Sequence, residues 1–300
     1  MSARSVVRIL RSCLHRRRQR KLQLTIAPYT KTDLEQRVQA AGFWWHSIDL
    51  GCGVVTPGRK SSSFLAKELR SLKLPSLADK SVLDIGAFNG YYSFAAERLG
   101  ARRVVALDHY VWSLDLLEFK RYLSDCRARG VTPQPAPQTR FWDPTLLPGK
   151  RPYDLAHSAL DSRVETVVGD FMHMDLAPLG MFDVTLFLGV LYHMEDPLGA
   201  LRRLASLTQH LAVIETHAVA VHGYESREMC EFYSADQLSD DPSNWWSPNL
   251  KALQGMCEAA GFSRVEIVAG KERARRLALL PSFLSFEKPR RFRAVVHAWK

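Results

Sequence analysis

The stretch from Ser81 to Tyr92 constrains this chain more than any other, because it joins an apolar run to a tight turn. The run SVLDI predicts a buried strand with an acid, Asp84, near its end, and Gly86 opens the turn. A second apolar run ends in another acid, Asp108. When a helix connects two parallel strands, both carboxyl ends lie at one edge of a sheet, where α/β folds bind ligands. The sequence therefore predicts a ligand site at this edge.

The glycine turn departs from the pattern that binds dinucleotides. That pattern is G-x-G-x-x-G, whereas here Phe88 stands in the place of the second glycine between Gly86 and Gly90. A phenylalanine would crowd a pyrophosphate, so a ligand with a ribose and no phosphate fits better, and S-adenosylmethionine is such a ligand. Asp108 can accept hydrogen bonds from the two ribose hydroxyls. The alternative is a turn with a purely structural role.

Composition indicates a globular protein with one large domain. The chain has 300 residues, and 46% of them are hydrophobic, which is enough for a substantial core. No run of eighteen apolar residues occurs, so we expect no transmembrane helix. The five cysteines are scattered and form no C-x-x-C motif, so we expect reduced thiols, a cytoplasmic location and no metal site.

The net charge of +10 is concentrated at the two ends of the chain. Residues 1–21 contain eight Lys or Arg and no acid, and residues 271–300 contain nine Lys or Arg and two acids, which leaves the middle mildly acidic. Basic ends attract nucleic acid or an acidic membrane surface, although solvated arms are an equal alternative. We expect residues 1–60 to form a basic arm and a lid segment, and residues 61–300 to form the main domain.

The alternation of apolar runs and amphipathic segments predicts an α/β fold with a doubly wound, mostly parallel sheet of seven strands. The last two strands lack a clear helix between them, which predicts an antiparallel last strand. One helix is expected over residues 112–128. Residues 131–150 contain five prolines and, with residues 218–248, are predicted to be insertions.

The order of these features resembles that of the class I S-adenosylmethionine-dependent methyltransferases, which have a Rossmann-like fold. The resemblance is carried by the glycine turn, by the acids at the strand ends, by Asp170-Phe171 and by the strand that begins at Phe182-Asp183. It implies S-adenosylmethionine as the cofactor. The cofactor-binding residues that it implies are Asp84, Gly86, Phe88, Asn89, Gly90, Asp108, His109, Asp170, Phe171 and Leu188.

Two short motifs resemble a narrower group, the carboxymethyltransferases of the tRNA wobble uridine. They are GVLYH at residues 189–193 and FRAVV at residues 292–296. In that group a lysine, the motif tyrosine and an arginine hold a carboxylated cofactor; Tyr192 and Arg293 match, and the lysine has no clear counterpart. Ordinary S-adenosylmethionine and a small-molecule acceptor are therefore expected, with tRNA as the alternative acceptor. A non-catalytic protein bound to nucleic acid or membrane is a further alternative.

The acceptor side is expected at the ends of the fourth and fifth strands. Tyr192 and His193 are the predicted catalytic residues, and either His193 or His217 could act as a base. Arg293 is expected to be free to bind an acidic group of the acceptor. Three acids near residues 231–249 argue against a nucleic-acid groove there. The predicted substrate-binding residues are Trp44, Trp45, Glu215, His217 and Arg293.

Overall fold

A computed structural model of the protein describes residues 29–278 and 290–300. The basic arm predicted over residues 1–21 lies outside the described residues. So does a part of the basic segment at the other end of the chain.

A seven-stranded sheet forms the centre of the fold. Its strands are β1 (Ser81–Ile85), β2 (Arg103–Asp108), β3 (Glu165–Val168), β4 (Phe182–Leu188), β5 (Thr208–Ala220), β8 (Arg264–Ala269) and β9 (Arg290–Trp299). They lie in the order β3-β2-β1-β4-β5-β9-β8. Strands β3, β2, β1, β4 and β5 run parallel, whereas β9 pairs antiparallel with both β5 and β8. This arrangement confirms the predicted doubly wound sheet with an antiparallel last strand.

The helices begin where short polar side chains satisfy free backbone N–H groups. The side chains of Thr30, Ser61, Asp196 and Asn249 each accept a hydrogen bond from an N–H of the first turn. The helices are α1 (Lys31–Ala40), α2 (Ser62–Ser71), α3 (Tyr91–Arg98), α4 (Tyr110–Ser113), α5 (Leu116–Ala128), α6 (Arg151–Ala159), α7 (Pro197–Leu207), α8 (Leu250–Ala259) and α9 (Lys271–Ala278).

The prediction of a single helix over residues 112–128 is wrong, because the structure has two helices there, α4 and α5. Leu114 takes an extended conformation, and Asp115 caps α5 by accepting the N–H of Glu118 at 3.2 Å. The Asp115 N–H in turn donates to the carbonyl of Phe141, in the proline-rich insertion. The break therefore lies where the insertion packs against the second crossover.

The N-terminal segment shares its hydrophobic core with the sheet. Leu34 and Val38 of α1 and Ile48 are buried in one cluster with Val82 of β1 and Val184 of β4. Residues 31–60 therefore pack on one face of the sheet. A division of the chain at residue 60 stays a prediction.

The second insertion follows directly from the long strand β5. It contains a short antiparallel hairpin of β6 (Cys230–Phe232) and β7 (Trp246–Pro248). The backbone N–H of Trp245 donates to the carbonyl of Tyr192 at 2.8 Å, which holds the insertion on the turn that follows β4. Among the described residues no helix is long and apolar enough to cross a membrane.

Candidate functional site

Asp108 at the end of β2 links the two loops of the predicted cofactor site. Its carboxylate accepts the N–H of Phe88 at 2.9 Å and the N–H of Val111 at 3.3 Å. The side chain is buried, and this burial raises the pKa of Asp108 to about 6, although the backbone N–H groups act in the opposite direction. The acid therefore holds the glycine turn against its own strand end.

Phe88 takes a left-handed conformation, with φ at 53°, as a glycine would in its place. Its N–H bonds Asp108, and its carbonyl accepts the indole N–H of Trp112 at 2.7 Å. The ring lies 6.4 Å from the ring of Phe43 and 6.3 Å from that of Trp45. The phenylalanine is accommodated because its ring packs on the N-terminal segment.

Asn89 joins the N-terminal segment to the glycine turn through hydrogen bonds of its side chain. Its side-chain oxygen accepts the N–H of Trp45 at 2.7 Å and that of His46 at 3.3 Å, and the amide is fully buried. The cofactor contact expected of Asn89 stays a prediction. The bonds in the structure give its amide a role in joining two parts of the chain.

The other predicted cofactor residues surround this edge of the sheet. Asp84 is buried and accepts the hydroxyl of Ser93 at 2.5 Å, and burial raises the pKa of Asp84 to about 6. Asp170 follows β3 and accepts the N–H of Met172 at 2.8 Å. Phe171 is buried, with its ring 5.6 Å from that of Phe187. His109 and Leu188 lie at the carboxyl ends of β2 and β4 and are partly exposed.

The acceptor side is organised by an ion pair between Arg293 of β9 and Glu215 of β5. The guanidinium donates two hydrogen bonds, one to each carboxylate oxygen, and lies 4.9 Å from the centre of the Tyr192 ring. Side-chain exposure is 34% for Arg293 and 12% for Glu215. The expectation that Arg293 is free to bind an acidic group is wrong, because Glu215 already neutralises its charge.

Two histidines flank Tyr192. The His217 ring meets the Tyr192 ring edge to face at 4.7 Å, and the His193 ring lies 4.3 Å away. Burial, followed by the charge of Arg293, lowers the pKa of His217 to about 3; burial also lowers the pKa of His193. Both imidazoles are therefore neutral at pH 7. The structure brings together Tyr192, His193, Glu215, His217 and Arg293, as the sequence analysis expects.

The two tryptophans predicted to bind substrate have different environments. Trp44 is buried in the core, where its indole N–H donates to the carbonyl of Val38 at 3.0 Å. Because only 3% of Trp44 is exposed, the structure gives no support to the substrate contact expected of it, which stays a prediction. Trp45 is partly exposed beside Phe88, and the ammonium of Lys120 lies 5.6 Å from its ring.

The insertion supplies residues that the sequence analysis does not place at the site. Ser243 contacts His193 through both its carbonyl and its hydroxyl. No local motif marks Ser243, because the contact spans 50 positions of the chain. Two of the acids expected to repel nucleic acid, Asp236 and Asp240, form ion pairs with Arg127. That argument against a nucleic-acid groove is correspondingly weaker.

A family comparison agrees with this geometry. The family model described as a methyltransferase domain matches residues 59–267. The chain belongs to this methyltransferase domain family. Within the described residues no group of three or more His, Cys, Asp or Glu could hold a metal ion.

Curated relatives of this chain carry the name tRNA U34 carboxymethyltransferase. The protein of that name from Aliarcobacter butzleri is 27% identical over 194 residues, which are 65% of this chain and 51% of the relative. The one from Campylobacter jejuni is 25% identical over 213 residues, which are 70% of this chain and 58% of the relative. The chain thus spans about half the length of the curated relatives that it matches.

Solved structures share the fold. The N-terminal domain of EvdMO1 with SAH bound superposes with a TM-score of 0.57 and 15% identity, covering 90% of this chain and 97% of that domain. The same domain in the presence of SAH and D-fucose gives a TM-score of 0.55. The methyltransferase domain of this chain therefore has a Rossmann-like fold.

Proposed function

We propose that this protein transfers a methyl group from S-adenosylmethionine to a small polar acceptor. The observation that carries the proposal is the bond between Asp108 and the N–H of Phe88, which joins the end of β2 to the glycine turn after β1. This bond forms a cradle at the carboxyl edge of a parallel sheet, where α/β folds bind nucleosides. The family and the fold are consistent with it.

The residues present fit such a cofactor. Each carboxylate oxygen can accept more than one hydrogen bond, so Asp108 can bind ribose hydroxyls as well as its backbone partners. Gly86, with φ at 77°, supplies a turn that other residues rarely adopt. Asp170 and Phe171 would lie beside the adenine ring. The cofactor supplies the methyl group on a sulfonium, and the protein aligns that group with the acceptor.

The acceptor would lie over the ends of β4 and β5. Tyr192, His193 and His217 line this place, and the Arg293–Glu215 pair lies beneath Tyr192. The paired charges and the two neutral imidazoles make the surface polar without a strong net charge. Such a surface suits an uncharged polar acceptor. A cytoplasmic location belongs to the same proposal, which is supported by four described cysteines that are free.

Carboxymethyl transfer to tRNA is a second candidate function. The names of the curated relatives favour it, as does the guanidinium of Arg293, which lies 4.9 Å from the centre of the Tyr192 ring. Against it, a carboxylate on the cofactor would have to compete with Glu215 for Arg293. The basic ends of the chain could attract tRNA. Such binding would weaken steeply with added salt, because Lys and Arg side chains that contact phosphates release the counterions condensed on the RNA.

Calorimetric titration separates these candidates. We expect the wild type to bind S-adenosylmethionine more tightly than its carboxylated analogue, and Asp108→Ala to weaken that binding by about 1.5–3 kcal/mol, the scale of a hydrogen bond to a charged group. Asp125→Ala, on the exposed side of α5, is the matched control. An unchanged dissociation constant in folded Asp108→Ala would refute the cradle. Preference for the carboxylated analogue, with tight tRNA-selective binding, would favour the second candidate.

A further inference from the structure

A chain of hydrogen bonds runs from an acid of the insertion to the predicted base. The Ser243 hydroxyl donates to Oδ1 of Asp241 at 2.6 Å, and the same hydroxyl oxygen lies 3.0 Å from Nδ1 of His193. The carbonyl oxygen of Ser243 lies 3.1 Å from the same nitrogen. One residue of the insertion therefore contacts the imidazole through two oxygens.

These contacts determine which ring nitrogen of His193 carries the proton. A carbonyl oxygen can only accept, so Nδ1 must donate to it. The Ser243 hydroxyl gives its hydrogen to the Asp241 carboxylate and thus also presents a lone pair to Nδ1. In the neutral imidazole the other nitrogen, Nε2, then carries the lone pair. Across the part of the chain that the structure describes, no hydrogen-bond partner of Nε2 is found.

His217, the other candidate base, lacks such support. Its Nδ1 is buried without a hydrogen-bond partner in residues 29–278 and 290–300. The charge of Arg293 disfavours a second positive charge on that ring. Burial is the largest effect on the pKa of His193 and lowers it. The charge of the nearby Asp241 acts in the opposite direction and raises this pKa, whereas Arg293 lowers it by a smaller amount. Of the two rings, only His193 can share an incoming positive charge with a carboxylate.

We propose that Asp241 and Ser243 are positioning residues that orient His193 as the general base, and that the acceptor is a hydroxyl, which needs a base because it must lose its proton on methylation, whereas a neutral amine can attack without one. This inference rests on the proposed methyl transfer. With the cofactor bound, the S–C bond would break with its electrons left on sulfur, and the methyl carbon would bond to the acceptor oxygen. The hydroxyl proton would pass to Nε2 of His193 and later to water. His193 would thus carry the positive charge as an imidazolium, which Asp241 would stabilise through Ser243.

The titration of His193 depends on the charged and titratable groups that surround it. Asp241 lies beyond Ser243, and Tyr192, His217, Arg293 and Glu215 lie on the side of the tyrosine ring. Nitrogen-15 NMR of the full chain labelled in histidine reports both the tautomer and the titration of each ring. The His193 signal is identified by its loss in His193→Gln.

We expect the wild type to hold the Nδ1–H tautomer at His193. In Asp241→Asn and in Ser243→Ala the proton affinity of His193 should fall on the order of tenfold, the scale of one nearby opposite charge. The double variant should show little further loss, because Asp241→Asn removes the charge at the end of the chain and Ser243→Ala removes the hydroxyl that links that charge to His193. Asp240→Asn removes the neighbouring acid, which pairs with Arg127, and should leave His193 unchanged.

An Nε2–H tautomer in the wild type, or equal titration of His193 in Asp241→Asn and Asp240→Asn, would overturn the proposal. Calorimetry with S-adenosylmethionine on the same samples tests the proposed function separately from the assignment of His193 as the base. A wild type that binds no cofactor but shows the expected tautomer contradicts the proposed function and leaves the bond chain intact. A wild type that binds the cofactor with the wrong tautomer contradicts the base assignment alone.

Discussion

The two halves of the candidate site share one sheet edge and are held in different ways. On the cofactor side, backbone N–H groups bond the Asp108 carboxylate, and Gly86 and Gly90 take left-handed conformations. On the acceptor side, side chains from distant parts of the chain meet, with Glu215 and Arg293 separated by 78 positions. The first half depends on local conformation, and the second depends on which strands the topology makes neighbours.

The halves also treat charge differently. Asp84 and Asp108 are buried, and neither forms an ion pair with any described residue, so burial raises both pKa values to about 6. Glu215, buried on the acceptor side, has Arg293 as a full partner. The two acids of the cofactor side therefore carry a desolvation cost, whereas the charge of Glu215 on the acceptor side is neutralised by Arg293.

Gly90→Ala should give the largest effect and tests the local half. Its φ of 85° is strained for alanine, and the added Cβ would lie 2.6 Å from the Phe94 ring and 2.8 Å from the Tyr153 ring. Overpacking and the left-handed conformation together should lower the free energy of unfolding by about 2–5 kcal/mol. Chemical denaturation measures this loss.

Gly223→Ala is the matched control for backbone strain. Gly223 has a similar φ of 78°, but nothing lies within 4 Å of its added Cβ. We expect a loss of about 1–2 kcal/mol there, from conformation alone. Equal losses in the two variants would show that packing around Gly90 does not support the glycine turn.

Arg293→Ala tests the half that depends on topology. The change leaves Glu215 buried without its cation, and we expect the free energy of unfolding to fall by about 2–3 kcal/mol, less than for a fully buried pair because Arg293 is a third exposed. Adding Glu215→Ala should recover part of the loss. The comparison variant Arg127→Ala, which breaks the exposed pair with Asp236, should cost clearly less than Arg293→Ala, because solvent screens that pair. Denaturation that shows no difference between Arg293→Ala and Arg127→Ala would contradict the role assigned to the buried pair.

Asp84→Asn should change the pH dependence of stability rather than remove a packing contact or an ion pair. The pKa of Asp84 is raised from 3.8 to about 6, so between these values the folded chain binds more protons and stability falls as pH rises. This contribution is fully present below pH 3.8 and lost above about pH 6, by up to roughly 3 kcal/mol. Asparagine keeps an oxygen for Ser93 and should flatten the profile between pH 4 and pH 7.

Asp183→Asn sharpens the same measurement through its opposite sign. The backbone N–H of Ser81 is the main cause that lowers the pKa of Asp183. Its stabilising contribution is therefore present at neutral pH and lost as pH falls. If both variants changed the profile in the same direction, the buried, unpaired state assigned to Asp84 would be contradicted.

The sequence by itself determined the sheet and the local half of the site. Apolar runs predict parallel strands because both faces of such a sheet are buried, and β4 begins at Phe182, as the sequence predicts. The glycine turn and the acids at strand ends are local patterns. For that reason the order of the elements alone places Asp108 and the turn at one edge of the sheet, whereas the bond from the Phe88 N–H to Asp108 appears only in the structure.

Only the tertiary structure decided the partners of side chains that are distant in sequence. No sequence pattern showed that Trp44 is buried in the core, that Glu215 forms an ion pair with Arg293, or that Ser243 contacts His193. Each of these depends on how an irregular segment packs or on which strand lies beside β5. Side-chain pairing across a sheet is set by register and burial, and both are properties of the folded chain as a whole.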